Sequence, residues 1–153
     1  MKHVGCFLGI VFVTVLFVFL VYLELWYFDT NPIELGNVKE DQWLASFQRW
    51  AFICVGVSGF ASFLWYGLAQ WGFKINRWED AGKRSWWIIL FFLPILAIIL
   101  SVIFVERAKS GLRFEQWIFF LINGLLSYYL ATLWFSPSAF KYTPAGAKYF
   151  RHW

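Results

Sequence analysis

Four apolar runs, each about as long as a bilayer is thick, constrain this chain more than any other feature. They are Val4–Leu23, Trp50–Phe73, Trp86–Val105 and Gln116–Phe135. About 20 residues at 1.5 Å rise cover the roughly 30 Å hydrocarbon core of a bilayer. A helix buried in a soluble domain needs only about 10–14 apolar residues, and these runs exceed that. With the aromatic exit of the first run included, spans are expected at about 4–28, 50–73, 86–105 and 116–135. Loops 29–49, 74–85 and 106–115 then join them, and a tail follows at 136–153. The expected fold is an all-α membrane protein of one domain, with four transmembrane helices arranged as two hairpins.

Composition agrees with that reading. Charged residues make up 14% of the chain and hydrophobic ones 61%, whereas soluble domains carry close to a quarter charged residues. Lys2 ahead of the first run could suggest a cleaved leader. The run is too long for one, however, and it leaves through Leu25-Trp26-Tyr27-Phe28 in place of small residues, so it reads as a retained anchor.

Charge sets the expected orientation. Lys2, Lys74, Arg77, Lys83, Arg84, Lys141, Lys148 and Arg151 fall on the side of both termini, opposed there by Glu79 and Asp80. Lys39, Arg49, Arg107, Lys109 and Arg113 fall on the other side, beside six carboxylates. The positive-inside rule therefore predicts that both termini are cytoplasmic. No Asn-x-Ser/Thr acceptor occurs, which fits a bacterial inner (plasma) membrane. Tryptophans mark the expected boundaries: Trp26, Trp43, Trp50 and Trp117 at outer ends, Trp71, Trp78, Trp86, Trp87 and Trp134 at inner ends. Indole prefers the headgroup level, where the ring is apolar and its N–H stays wet.

Within loop 29–49, Asn31-Pro32 and Gly36 are turn signals. Asn37 with Glu40 three residues later resembles a capping pair. Trp43, Leu44, Phe47 and Trp50 then recur at helical spacing, which predicts a short amphipathic external helix before the second span.

Side-chain chemistry narrows the function classes. The two histidines, His3 and His152, lie near opposite ends of the chain, so no span carries paired haem ligands. Cys6 and Cys54 are expected at opposite ends of the bundle, too far apart for a disulfide. Asp29, Glu34, Glu40 and Asp41 match no cation-loop spacing. No glycine-rich phosphate loop occurs either. No catalytic, cofactor-binding or metal residue is therefore assigned, and a non-enzymatic role is expected.

Glu24 is the candidate for an ion or proton path, because an ionisable group inside a span is a functional candidate by default. Its place after the first apolar run, beside Trp26 and Tyr27, favours a headgroup-level carboxylate reaching water. Cys54, Ser58, Ser62, Tyr66 and Gln70 recur every four residues, as do Asn123, Ser127 and Ala131. These uncharged stripes predict helix packing through Ser58, Ser62, Asn123 and Ser127, with Asn123 bonded to the Ser58–Ser62 stripe.

Trp43 and Trp50, with Lys141, Lys148, Arg151 and Trp153 of the tail, are candidates for docking a partner or lipid headgroups. The basic residues are too few for nucleic acid. The expected partners are membrane lipids, and other membrane-protein subunits or further copies of the chain. The expected function is that of an accessory, assembly, regulatory or immunity/exclusion-type interaction subunit. A small oligomeric transporter or channel subunit is the alternative.

Overall fold

The computed structural model describes residues 2–31, 40–69, 80–106 and 114–135. Every regular element among them is helical. Helix α1 is Lys2–Thr30, α2 is Glu40–Gly67 and α3 is Asp80–Glu106. The last stretch comprises α4 (Phe114–Leu121), a π-helical segment (Ile122–Leu126) and α5 (Ser127–Phe135) without a break. Four helices are long and apolar enough to cross a membrane: Gly5–Thr30, Glu40–Gly67, Arg84–Val105 and Phe114–Leu133. The fourth of these is called the fourth span below.

Helix boundaries follow local chemistry. Helix α1 has no proline or interior break, and it stops where Pro32 disfavours helical backbone at Asn31. Its last carbonyls are not left bare. Thr30 Oγ1 donates to Trp26 O at 3.0 Å, and Asn31 Nδ2 donates to Tyr27 O at 2.9 Å. These bonds satisfy acceptors that a helix end otherwise exposes. Helix α2 opens with Glu40 and Asp41, whose charges suit the positive end of the helix dipole.

Helix α2 begins at Glu40 and runs unbroken to Gly67, so the short external helix expected before the second span is the first part of one long helix. Trp43 and Phe47, expected on the membrane surface, are buried at 1% and 0% exposure. Their amphipathic spacing is real, but its apolar face is covered by protein. Phe28 meets Trp43 at 5.1 Å and Phe47 at 5.0 Å between ring centroids.

Helix α2 touches all the other helices. Along α1 and α2 the ring pairs are Phe7–Phe63, Tyr22–Phe52 and Phe28–Trp43, so position falls along one helix as it rises along the other. Trp50 stacks on Phe104 at 4.8 Å, and Cys54 Sγ lies 3.2 Å from Ser101 Oγ, which joins α2 to α3. Ser101 Oγ gives its own proton to Ala97 O, so the thiol is the donor to Ser101.

Two close approaches lock the bundle. A Cβ on Gly59 would stand 2.9 Å from Thr14 Oγ1, and one on Gly124 would stand 2.6 Å from Ile98 Cδ1. Any larger residue at either position would force the facing Thr14 or Ile98 side chain to shift. Outward, the molecule shows Phe12, Phe19 and Trp26 at heptad spacing on α1, each more than 60% exposed, and Phe92 and Leu96 on α3. A belt of this size is far beyond what a soluble monomer exposes and matches hydrocarbon instead.

Candidate functional site

Burial selects one face of α1. Ile10, Val13, Phe17, Val21, Glu24 and Phe28 recur three or four residues apart, and all are buried. Glu24 thus belongs to the core stripe, at 3% exposure. The sequence favoured a carboxylate reaching water, whereas the side chain is covered by protein. The cause is local: α1 stays helical to Thr30, which puts Glu24 roughly 9 Å, six residues of helix rise, inside the end of the helix.

Its partner comes from the π segment. Asn123 Nδ2 donates to Glu24 Oε2 at 2.7 Å, and Asn123 is fully buried. A π turn carries one extra residue and is frequent at functional sites. Here it spans Ile122–Leu126, beside the Gly124–Ile98 contact. The neighbouring carbonyls are engaged. Ser58 Oγ donates to Gly124 O at 2.7 Å, and Ser127 Oγ donates to Asn123 O and, at 3.1 Å, to Gly124 O.

The expected Asn123 contact with the Ser58–Ser62 stripe is therefore replaced by two adjacent ones: Asn123 reaches Glu24, and Ser58 reaches the Gly124 carbonyl. Ser62 Oγ donates to Ser58 O, inside its own helix. Thus Ser58 and Asn123 make bonds between helices, while Ser62 and Ser127 lie buried and bond their own backbones.

Aromatic rings close the pair off toward the Thr30 end of α1. Phe28 lies one turn past Glu24 and touches Trp43, Phe47 and Phe119, while Phe120 meets Phe47 at 5.2 Å. Beyond them, Gln116 is 1% exposed, and neither amide atom has a hydrogen-bond partner. Within the pair, Glu24 Oε1 and Asn123 Oδ1 are buried without a donor, as is Trp43 Nε1 without an acceptor. Buried polar atoms are nearly always paired, so this concentration at one end of the bundle marks a specialised place.

Among the described residues, no three His, Cys, Asp or Glu side chains converge as a metal site would require. Neither cysteine forms a disulfide. Trp43 is a buried ring and cannot dock lipid or a partner in this arrangement, and Trp50 is half-buried against Phe104. Lys141, Lys148, Arg151 and Trp153 lie outside the described residues, as does Glu34.

A second feature lies on the outer surface. An open groove of about 520 Å³ runs between α3 and the fourth span, lined by Trp87, Phe91, Leu121, Leu125, Leu126 and Tyr129, with Ile118 and Ile122. Its Trp87 wall is held in place. Trp87 Nε1 donates to Thr132 Oγ1 at 3.1 Å, Tyr128 Oη donates to Trp87 O at 3.1 Å, and Trp87 stacks on Phe91 and Tyr128. Sequence reasoning missed the groove, because nothing in an all-apolar helix says which apolar residues leave a gap. Compared with protein-family models, curated proteins and solved structures, the chain matches none.

Proposed function

We propose that this chain is a non-enzymatic membrane subunit that works by contact with another membrane protein, in an accessory, assembly, regulatory or immunity/exclusion role. The observation that carries this reading is the groove between α3 and the fourth span. It is apolar along Ile118–Tyr129, and its Trp87 wall is fixed by hydrogen bonds and stacking. A preorganised wall suits one rigid occupant, a transmembrane helix of a partner, better than interchangeable acyl chains. Lipid-embedded helices associate through such close packing.

The topology belongs to the same proposal: two hairpins, with both termini on the cytoplasmic side of a bacterial inner membrane. Reporter fusions after Lys39 and Lys109 then score as external, and fusions after Gly82 and Trp153 as cytoplasmic. For the groove, a photo-crosslinking residue at Leu121 is expected to give a discrete protein adduct in intact membranes. That adduct disappears when Leu125→Trp fills the groove and survives Phe12→Trp on the exposed face of α1. Lipid adducts alone at Leu121 would overturn the reading.

A small oligomeric transporter or channel subunit is the second reading, favoured by one observation, the burial of Glu24 against Asn123. Flux of protons or monovalent cations into liposomes, abolished by Glu24→Gln, is its test. Tight vesicles with the native chain would dismiss it.

A further inference from the structure

We propose that Glu24 and Asn123 form a proton-binding site inside the bundle, with the bound proton carried on Glu24 Oε1 and shared with the Asn123 amide oxygen. An ionised carboxylate only accepts, whereas a carboxylic acid donates through one oxygen and still accepts through the other. Asn123 Nδ2 already serves Glu24 Oε2 at 2.7 Å. What remains are two acceptors, Glu24 Oε1 and Asn123 Oδ1, both buried and neither supplied with a donor.

One proton resolves both deficits. It makes Oε1 a donor, gives Oδ1 its partner, and completes a two-bond acid–amide pair. It also removes a net charge from a site within the hydrocarbon, where charge is expensive.

Among the described residues, no other donor is bonded to Glu24 Oε1 or Asn123 Oδ1. From α2, Cys54 directs its S–H to Ser101. From α5, Tyr128 gives its hydroxyl proton to Trp87 O. Glu40, Asp41 and Tyr66 of α2, Glu115 of α4 and Tyr129 of α5 also titrate on the helices around the pair, and none adds positive charge. On α1 itself, Tyr22, Tyr27 and Asp29 are exposed, and so are the described basic side chains Arg49 of α2 and Arg84 of α3.

A metal ion fits less well. Hard divalent cations take about six or more oxygens, and the Asn123 and Gly124 carbonyls are already occupied by serine hydroxyls. The site would also serve the transport reading, but it requires only binding. Failure of flux therefore leaves it standing.

The test is infrared spectroscopy of the full chain in lipid bilayers near neutral pH, with Glu24→Gln and Asn123→Leu variants. The native protein is expected to show a protonated-carboxyl carbonyl band that Glu24→Gln deletes. Asn123→Leu is expected to shift that band to higher frequency, as a hydrogen bond is lost. Glutamine keeps both bonds to Asn123, so the variant should fold, and the carboxyl carbon shift of labelled native protein gives the same answer without mutation. A carboxylate signal for Glu24 near neutral pH would overturn the proposal. So would an acid band insensitive to Glu24→Gln, or one erased by sodium ions at constant pH.

Discussion

Removing Asn123 should cost far more than a typical polar contact in a membrane, and removing its partner as well should restore most of the loss. Double-mutant cycles within membrane helices average about 0.6 kcal/mol per hydrogen bond. An exchange between Asn123 and a serine hydroxyl would sit near that value. The structure pairs Asn123 with a carboxyl group at 2.7 Å, at a site with no described basic neighbour. In Asn123→Leu, the Glu24 carboxyl is left buried without its amide partner, and stranding such a group costs about 2–3 kcal/mol. In Glu24→Leu, the Asn123 amide is stranded instead, at about 1–3 kcal/mol. The double leucine variant leaves two apolar side chains facing each other, and replacing both partners by apolar groups can be nearly neutral. The singles then sum to about 3–6 kcal/mol, while the double stays within about 1 kcal/mol of native. Reversible unfolding in bicelles, followed by steric trapping, measures all four corners. Additive losses, or singles each below about 0.5 kcal/mol, would show that the pair is not a buried unit.

Other expectations follow from single contacts. Gly124→Ala drives a methyl group into Ile98 and should destabilise by about 1–3 kcal/mol, the usual cost of overpacking, with partial recovery when Ile98→Ala is added. Ser58→Ala should cost only about 0.5–1 kcal/mol, because Ser127 Oγ still donates to Gly124 O; the same unfolding assay checks both variants. Cys54→Ser should keep the link to Ser101, and native Cys54 should resist a water-soluble maleimide until the protein unfolds.

The spans were legible because length and hydropathy in lipid leave little choice: a backbone without water must form helices. Helix ahead of the second span was also legible, from the Trp43–Phe47 spacing, while Asn37 of the expected capping pair lies outside the described residues. What covers that apolar face was not. The same amphipathic pattern suits a membrane surface or a neighbouring helix, and the neighbour was Phe28.

The burial of Glu24 was not legible for a related reason. Helix α1 is apolar on every side, so its hydrophobic pattern does not reveal a buried face. One signal was present: Glu24 lies on the three-and-four spacing Val13, Phe17, Val21, Glu24, Phe28. The serine stripes pointed to the right helices, but the π segment shifts register along the fourth span. Ser58 therefore meets Gly124, and Asn123 is turned to α1.

The contact between Glu24 and Asn123 is the claim on which the reading of the polar site rests. Solid-state NMR can test it directly in lipid bilayers. A carbon label on the Glu24 carboxyl and a nitrogen label on the Asn123 side-chain amide report their dipolar coupling. The account predicts strong dephasing, as required by the 2.7 Å Asn123 Nδ2 to Glu24 Oε2 bond, and slow magnetisation transfer from water to the carboxyl. No dephasing together with rapid transfer from water would put Glu24 at the headgroups and contradict the account.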